Sequence, residues 1–179
     1  AGTGRNIGVD FTFERYLNKG LYYMFTASVF DSKYKGNDGI ERSTRFNKNY
    51  VFNAIIGKEW QIGIEKNNLL STNFRLNYLG GNRVESIDMQ NSMTQQDIIY
   101  GETDGELSYA KKHPGTPIIS FTISYRKNKP KHSSIWALQV LNTSRTKEFE
   151  TDFYNINTHL IEQKYSRIMI PNLSYKIEF

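Results

Sequence analysis

Apolar and polar residues alternate along most of this chain, and the alternation breaks at turn-forming residues. Ile7, Val9, Phe11 and Phe13 share one parity, while Gly8, Asp10, Thr12 and Glu14 take the other. That period of two puts successive side chains on opposite faces of a β-strand, so a first strand is expected over 7–16. Asn18-Lys19-Gly20 supplies a tight turn, with Gly free to take positive φ. A second strand over 21–34 sets Tyr23, Phe25, Ala27 and Val29 against Thr26, Ser28 and Ser32, and Met24 and Phe30 interrupt the polar parity. A third strand over 49–61 carries Phe52, Ala54, Ile56 and Trp60 on its apolar side. Lys58 shares that parity near the strand end, where a long cation can snorkel. A fourth strand over 68–79 sets Leu70, Phe74, Leu76 and Tyr78 against Ser71, Asn73, Arg75 and Asn77. A fifth over 116–126 alternates Ile119, Phe121, Ile123 and Tyr125 with Ser120, Thr122 and Ser124. A sixth over 132–142 carries Trp136, Leu138 and Val140, and a seventh runs over 167–179.

The connections alternate short, long, short, long, short, long. Turns at 18–20, 62–67 and 127–131 fall on one rim; loops over 35–48, 80–115 and 143–166 fall on the other, the last with a small hairpin expected to turn at Asn155-Ile156-Asn157. The stretch 80–115 is expected to be irregular. Strands of ten to thirteen residues match or slightly exceed the ~9–11 that cross a bilayer at a tilt, against ~5–6 in ordinary soluble sheets. Short turns on one rim and long loops on the other are the asymmetry of outer-membrane β-barrels. Tyr16, Trp60, Tyr78, Tyr125 and Phe179 sit near strand ends, as aromatic girdles would. The expected fold class is all-β: an antiparallel, up-and-down transmembrane β-barrel segment of about seven long strands. A soluble sheet with one buried face also alternates and stands as the competing fold.

Composition changes this little. The 179 residues contain no cysteine, which removes disulfides and thiolate metal sites. No apolar run is long enough for a transmembrane helix. The average polarity does not oppose a barrel, because only alternate strand residues face lipid. Aromatic content is 14%, rich in Tyr and Phe, and favours strands and interfaces. Net charge is +5, spread over loops and turns rather than gathered in a stripe, so a nucleic-acid partner is not expected. The chain opens on Ala1-Gly2-Thr3-Gly4 without signal peptide or initiator Met, as expected of a processed or excised piece.

Four segments carry a family resemblance: Gly4-Arg5-Asn6-Ile7-Gly8-Val9-Asp10-Phe11-Thr12-Phe13-Glu14, Phe30-Asp31-Ser32-Lys33-Tyr34-Lys35-Gly36, Gly57-Lys58-Glu59-Trp60, and Ile170-Pro171-Asn172-Leu173-Ser174-Tyr175-Lys176-Ile177-Glu178-Phe179. In this order they resemble the C-terminal part of TonB-dependent outer-membrane receptors, of the type with a carboxypeptidase-regulatory-like domain before the plug. The resemblance spans essentially residues 1–179. It implies the last seven strands of a 22-stranded barrel, with the plug and TonB box lying N-terminal and absent here. It implies residence in the outer membrane of a Gram-negative bacterium, contact with outer-membrane lipid, energy from the TonB complex through the plug, and room for a surface lipoprotein partner. It also implies that Leu173, Tyr175, Ile177 and Phe179 form the C-terminal signal read by the barrel-assembly machinery. An odd strand count agrees with a fragment, since bacterial single-chain barrels are even-numbered.

No catalytic motif is present. His113, His132 and His159 are scattered without ligand spacing, and no phosphate-cradling or nucleophile-elbow pattern occurs, so neither enzyme activity, metal nor cofactor is expected. Arg126-Lys127-Asn128-Lys129-Pro130-Lys131 is the most basic run; a solvated turn is the simple reading and anionic headgroups the lesser one. Asp10, Glu14, Asn53, Glu59, Arg75, Asn77, Lys176 and Glu178 are expected to line the lumen. Any ligand contact is expected from the long loops, with Tyr100 and Tyr109 as candidates. The function expected is the barrel portion of an active transporter or receptor for an unidentified nutrient. Two alternatives remain: a structural or adhesive outer-membrane barrel, and a soluble β-barrel that binds an apolar ligand.

Overall fold

The computed structural model describes residues 2–103 and 105–179. Seven long antiparallel strands make one sheet: β1 (Thr3–Asn18), β2 (Leu21–Lys35), β4 (Tyr50–Ile62), β5 (Asn68–Leu79), β6 (Thr116–Asn128), β7 (Ser133–Leu141) and β10 (Ile170–Glu178). They pair in chain order, up and down, with a short β3 (Glu41–Ser43) added to β2. β8 (Glu148–Asn155) and β9 (Leu160–Ser166) form a separate hairpin in the last long loop, turning at Asn155-Ile156-Asn157 as the sequence suggests. Among the described residues β1 and β10 are edges, each paired on one side alone.

The turn chemistry explains the hairpins. Lys19 and Gly20 both take positive φ, 50° and 75°, the combination whose twist matches a two-residue hairpin. A side chain on Gly20 would also collide with the Glu59 carbonyl on β4. The third short turn places Pro130 and Lys131 between Lys129 and His132, whose N–H and carbonyl bond at 2.9 Å.

The register joins the apolar parities of all seven strands into one face. Across it run Phe13, Phe25, Ala54, Leu76 and Ile119; beside them run Tyr23, Ile56, Phe74, Phe121, Val140 and Pro171. Towards the short-turn rim, Trp60, Leu70, Tyr125, Trp136 and Tyr175 form a further row, with Trp136 stacked on Tyr125 at 5.9 Å and tilted against Tyr175 at 5.2 Å. Towards the long loops Tyr50, Phe52 and Tyr78 cluster at 5.4–6.3 Å. Such cross-strand aromatic pairs contribute about 0.5–1.5 kcal/mol each.

This face covers nothing. No hydrophobic side chain is buried among the described residues; Val9 is 75% exposed, Phe74 52% and Leu173 78%. Isolated soluble domains rarely expose so broad an apolar surface. The fully buried side chains are polar and lie in the loops: Asn47 and Ser92.

Several details differ from the sequence expectation: β1 is longer than 7–16, running Thr3–Asn18, and the 35–48 loop holds the short β3. Tyr16 shares the face of Glu14, to which its hydroxyl donates at 2.7 Å, so it stands outside the aromatic row despite its place at a strand end. The stretch 80–115 is not wholly irregular: α1 (Met89–Gln95) forms because Asp88 caps it, accepting from the Asn91 amide, and Gln96 ends it in the left-handed region. The last strand starts at Ile170 rather than 167, because the Ile168 carbonyl is occupied by the Asn142 side-chain amide at 3.0 Å. Met24 and Phe30 do lie on the polar face, where Met24 pairs with Glu14 and Ile55, and Phe30 lies opposite Gly8.

Candidate functional site

Two surfaces carry polar chemistry. The first is the face opposite the apolar one. Asp10, Glu14, Asn53, Glu59, Arg75, Asn77, Lys176 and Glu178 all fall on it by register, as expected for one wall. Asn77 donates to Asn53 at 2.7 Å and Asn53 to Thr26 at 3.1 Å, a side-chain ladder across β5, β4 and β2. Ser71 donates to Glu59, and Glu178 is held by Arg126 at 3.0 Å and Lys176 at 2.7 Å. Arg75 shares a row with Ile55, Met24 and Glu14 and makes no ion pair among the described residues.

The second surface is a cleft at the long-loop rim, about 180 Å³ in volume, between the 80–115 loop and β8. Tyr100 and Tyr109 both line it, together with Arg45, Glu85 and Asp152. Burial raises the pKa of both tyrosines, and the carboxylates of Asp152 and Glu85 add to the shift at Tyr100, as Glu85 does at Tyr109. Both hydroxyls therefore stay neutral donors at physiological pH. One wall is His113 stacked on Phe149 at 4.0 Å between ring centres. The Nε2 of His113 is buried and meets no hydrogen-bonding group of the described residues. Neutral donors, a guanidinium, carboxylates and an aromatic stack equip the cleft for a small polar group.

Arginine clamps shape this rim. Arg83 donates to the carbonyls of Asn47, Tyr109 and Ala110 and to the Asn49 side chain at 2.9–3.2 Å, tying the 36–49 loop to the 80–115 loop. Arg42 grips Glu102 through two nitrogens and Asp38 at 2.8 Å. No sequence pattern singles out Arg42, Arg45, Arg83 or Phe149, whose neighbours in the fold lie far along the chain. The one local signal was the pair Gly80-Gly81 at the base of the loop, which marks a close backbone approach.

The Arg42 hydrogen bonds, then the Ser108 amide, hold the Glu102 carboxyl down at about 2. A carboxyl lowered on folding contributes fully above its unfolded value and loses that contribution as pH falls through the folded one. The clamp is thus expected to hold at pH 4 and 3 and to open near pH 2. Pepsin cleavage within 80–115 should stay low until then in the parent protein, and be high already at pH 4 in Glu102→Gln. Equal cleavage of both at pH 4 would show that the pair does not retain the loop.

At the opposite rim the turns are stitched together. Lys58 reaches the Lys19 carbonyl at 3.0 Å, and Asn128 bonds to Asn67 and Asn68 across the neighbouring hairpin. The histidines lie apart: His132 is beside Phe179 and His159 bonds the Tyr154 hydroxyl. Leu173, Tyr175 and Ile177 lie on the exposed apolar face of β10, with Phe179 just beyond it. Comparison with protein-family models, curated proteins and solved structures finds no match to this chain.

Proposed function

We propose that this chain is part of the wall of an outer-membrane β-barrel, the C-terminal segment of a TonB-dependent transporter or receptor. The observation that carries the membrane reading is the seven-strand apolar face with no hydrophobic side chain buried behind it among the described residues. Lipid is the solvent that such a face fits. Its height fits too: Tyr50 and Trp60 stand ten residues apart on β4. That is roughly 33 Å of strand, which a tilt of about 40° projects to about 25 Å, the height of a barrel's apolar band. In this reading further strands pair with the free edges of β1 and β10, which removes the aggregation hazard of open edges. The hydrogen-bonded polar face then lines the lumen, with Arg75 available to a plug. The long-loop cleft holding Tyr100 and Tyr109 faces the outside and is the first candidate contact for a nutrient. The TonB part of the proposal rests on the resemblance of the four quoted segments.

The test is fractionation of the source cells with an antibody against residues 166–179. A heat-modifiable band in the outer membrane, several times larger than 20.8 kDa, with nutrient uptake lost when TonB is deleted, is the expected result. A membrane band of 20.8 kDa, or uptake indifferent to TonB, would remove the transporter assignment. A soluble band would remove the membrane one.

A further inference from the structure

We propose that the outer side of the short-turn rim is a docking surface for anionic phospholipid headgroups, with Lys127, Lys129 and Lys131 supplying the charge. This inference rests on the membrane reading and goes beyond it, because a barrel needs only an apolar band, not a headgroup preference.

At the long-loop side some cations are paired within the protein, Lys33 with Glu41 at 3.1 Å, Lys111 with Glu106 at 2.8 Å and Lys164 with Glu150 at 2.9 Å, while others such as Lys35 and Lys147 are not. At the short-turn side Lys19, Lys58, Lys66, Lys127, Lys129 and Lys131 make no ion pair among the described residues. The nearby carboxylates do not balance them. Glu59 and Glu178 point to the polar wall, and Glu178 is already held by Arg126 and Lys176; Glu65, which accepts from the neutral Asn67 amide, keeps its charge in the turn beside Lys66, away from Lys127, Lys129 and Lys131 in sequence. The outer side of this rim therefore carries uncompensated positive charge.

The position of the charge selects the partner. Lys127 lies on the apolar parity of β6, opposite Ser134 and in the row of Ile177, one step rimward of the Tyr125–Trp136–Tyr175 row. Lys58, on the same face of β4 one step inward of Trp60, is tied to the Lys19 carbonyl and is not part of this surface. A lysine stem laid along an apolar surface delivers its ammonium to the membrane–water interface. Aromatic rings mark the same level. Free ammonium groups at headgroup depth, just beyond a belt of Trp and Tyr, complement the phosphate of an anionic glycerophospholipid.

The test uses the full-length protein containing this chain, reconstituted in phosphatidylcholine vesicles with a minor fraction of chain-brominated phosphatidylglycerol. Bromine quenches indoles on contact, and the signal of Trp60 and Trp136 is isolated as the difference from a W60F/W136F variant. Quenching should exceed that from the same fraction of brominated phosphatidylcholine. Each Lys→Gln change at 127, 129 or 131 should weaken the apparent association by up to about five-fold, the factor one lysine supplies at an anionic surface. The triple Lys→Arg variant should retain it. Equal quenching by both lipids, an unaffected K127Q/K129Q/K131Q variant, or equal loss in the Lys→Arg variant would overturn the headgroup site while leaving the membrane reading in place. Failure of the parent protein to float with either vesicle would overturn both.

Discussion

On the proposed membrane reading, Phe74→Arg should prevent the protein from accumulating as a folded barrel in the outer membrane. Phe74 stands on β5 four residues from Tyr78 and four from Leu70, which shares the row of Trp60 and Tyr125, so it sits midway between the two aromatic groups. It is 52% exposed and touches Phe121, with ring centres 5.1 Å apart. In that reading a guanidinium there would lie at the centre of the hydrocarbon, too far from either interface to reach water. The expected cost is about 2–4 kcal/mol, the penalty for arginine on the lipid face at mid-depth. The same change at Asn73, the next residue and on the opposite face, should be tolerated, because that side chain faces the polar wall. Heat-modifiable gel mobility of outer-membrane fractions reads both variants. Parent-level folded Phe74→Arg protein would contradict the placement of this face in lipid.

Gly81→Val should release the 80–115 loop without unfolding the sheet. A Cβ on Gly81 would overlap the His113 carbonyl carbon and oxygen, and one on Gly80 would overlap the Lys48 carbonyl. These are backbone groups; they cannot swing aside as a side chain end could. Overpacking costs about 1–3 kcal/mol and more where the neighbour is rigid. The Arg83 clamp and the His113–Phe149 stack both depend on this approach, so the cleft at Tyr100 and Tyr109 should open with it. Limited proteolysis should cut within 80–115 at least about ten-fold faster, a factor that corresponds to about 1.4 kcal/mol of local opening. Hydrogen exchange in β4, β5 and β6 should be unchanged. Parent-like protection of the loop would mean that it is not held at its base.

The strands and their faces were legible because both are local properties. Period-two alternation in 116–126 names β6 and its two faces within eleven residues, and Lys19-Gly20 or Pro130-Lys131 gives the turn between partners. With turns this short the register follows, since a slip of one residue would reverse every face. The eight wall residues fall on one side for that reason, and Lys58, near its strand end, donates to the Lys19 carbonyl of the turn. Tyr16 departs from the expected girdle because parity, not strand-end position, decides the face, and its parity is that of Glu14.

The loop rim was not legible in the same way. In the sequence Tyr100 and Tyr109 stand out only as aromatics of the longest loop, and nothing there indicates that they share a cleft. Arg42 and Glu102 are sixty residues apart, Arg83 and Asn47 thirty-six, and no period connects them. The helix at Met89–Gln95 is too short to form from propensity alone; Asp88 caps it and the buried Ser92 hydroxyl accepts the Ile99 amide. By itself the sequence determined the seven strands, their pairing order and which side of each is apolar, because alternation and turn residues act between neighbours. Only the tertiary structure decided that the apolar sides merge into one face with nothing buried behind it, that the short-turn lysines are left unpaired, and that arginine clamps gather the long loops around a cleft, because those outcomes depend on groups the chain brings together from far apart.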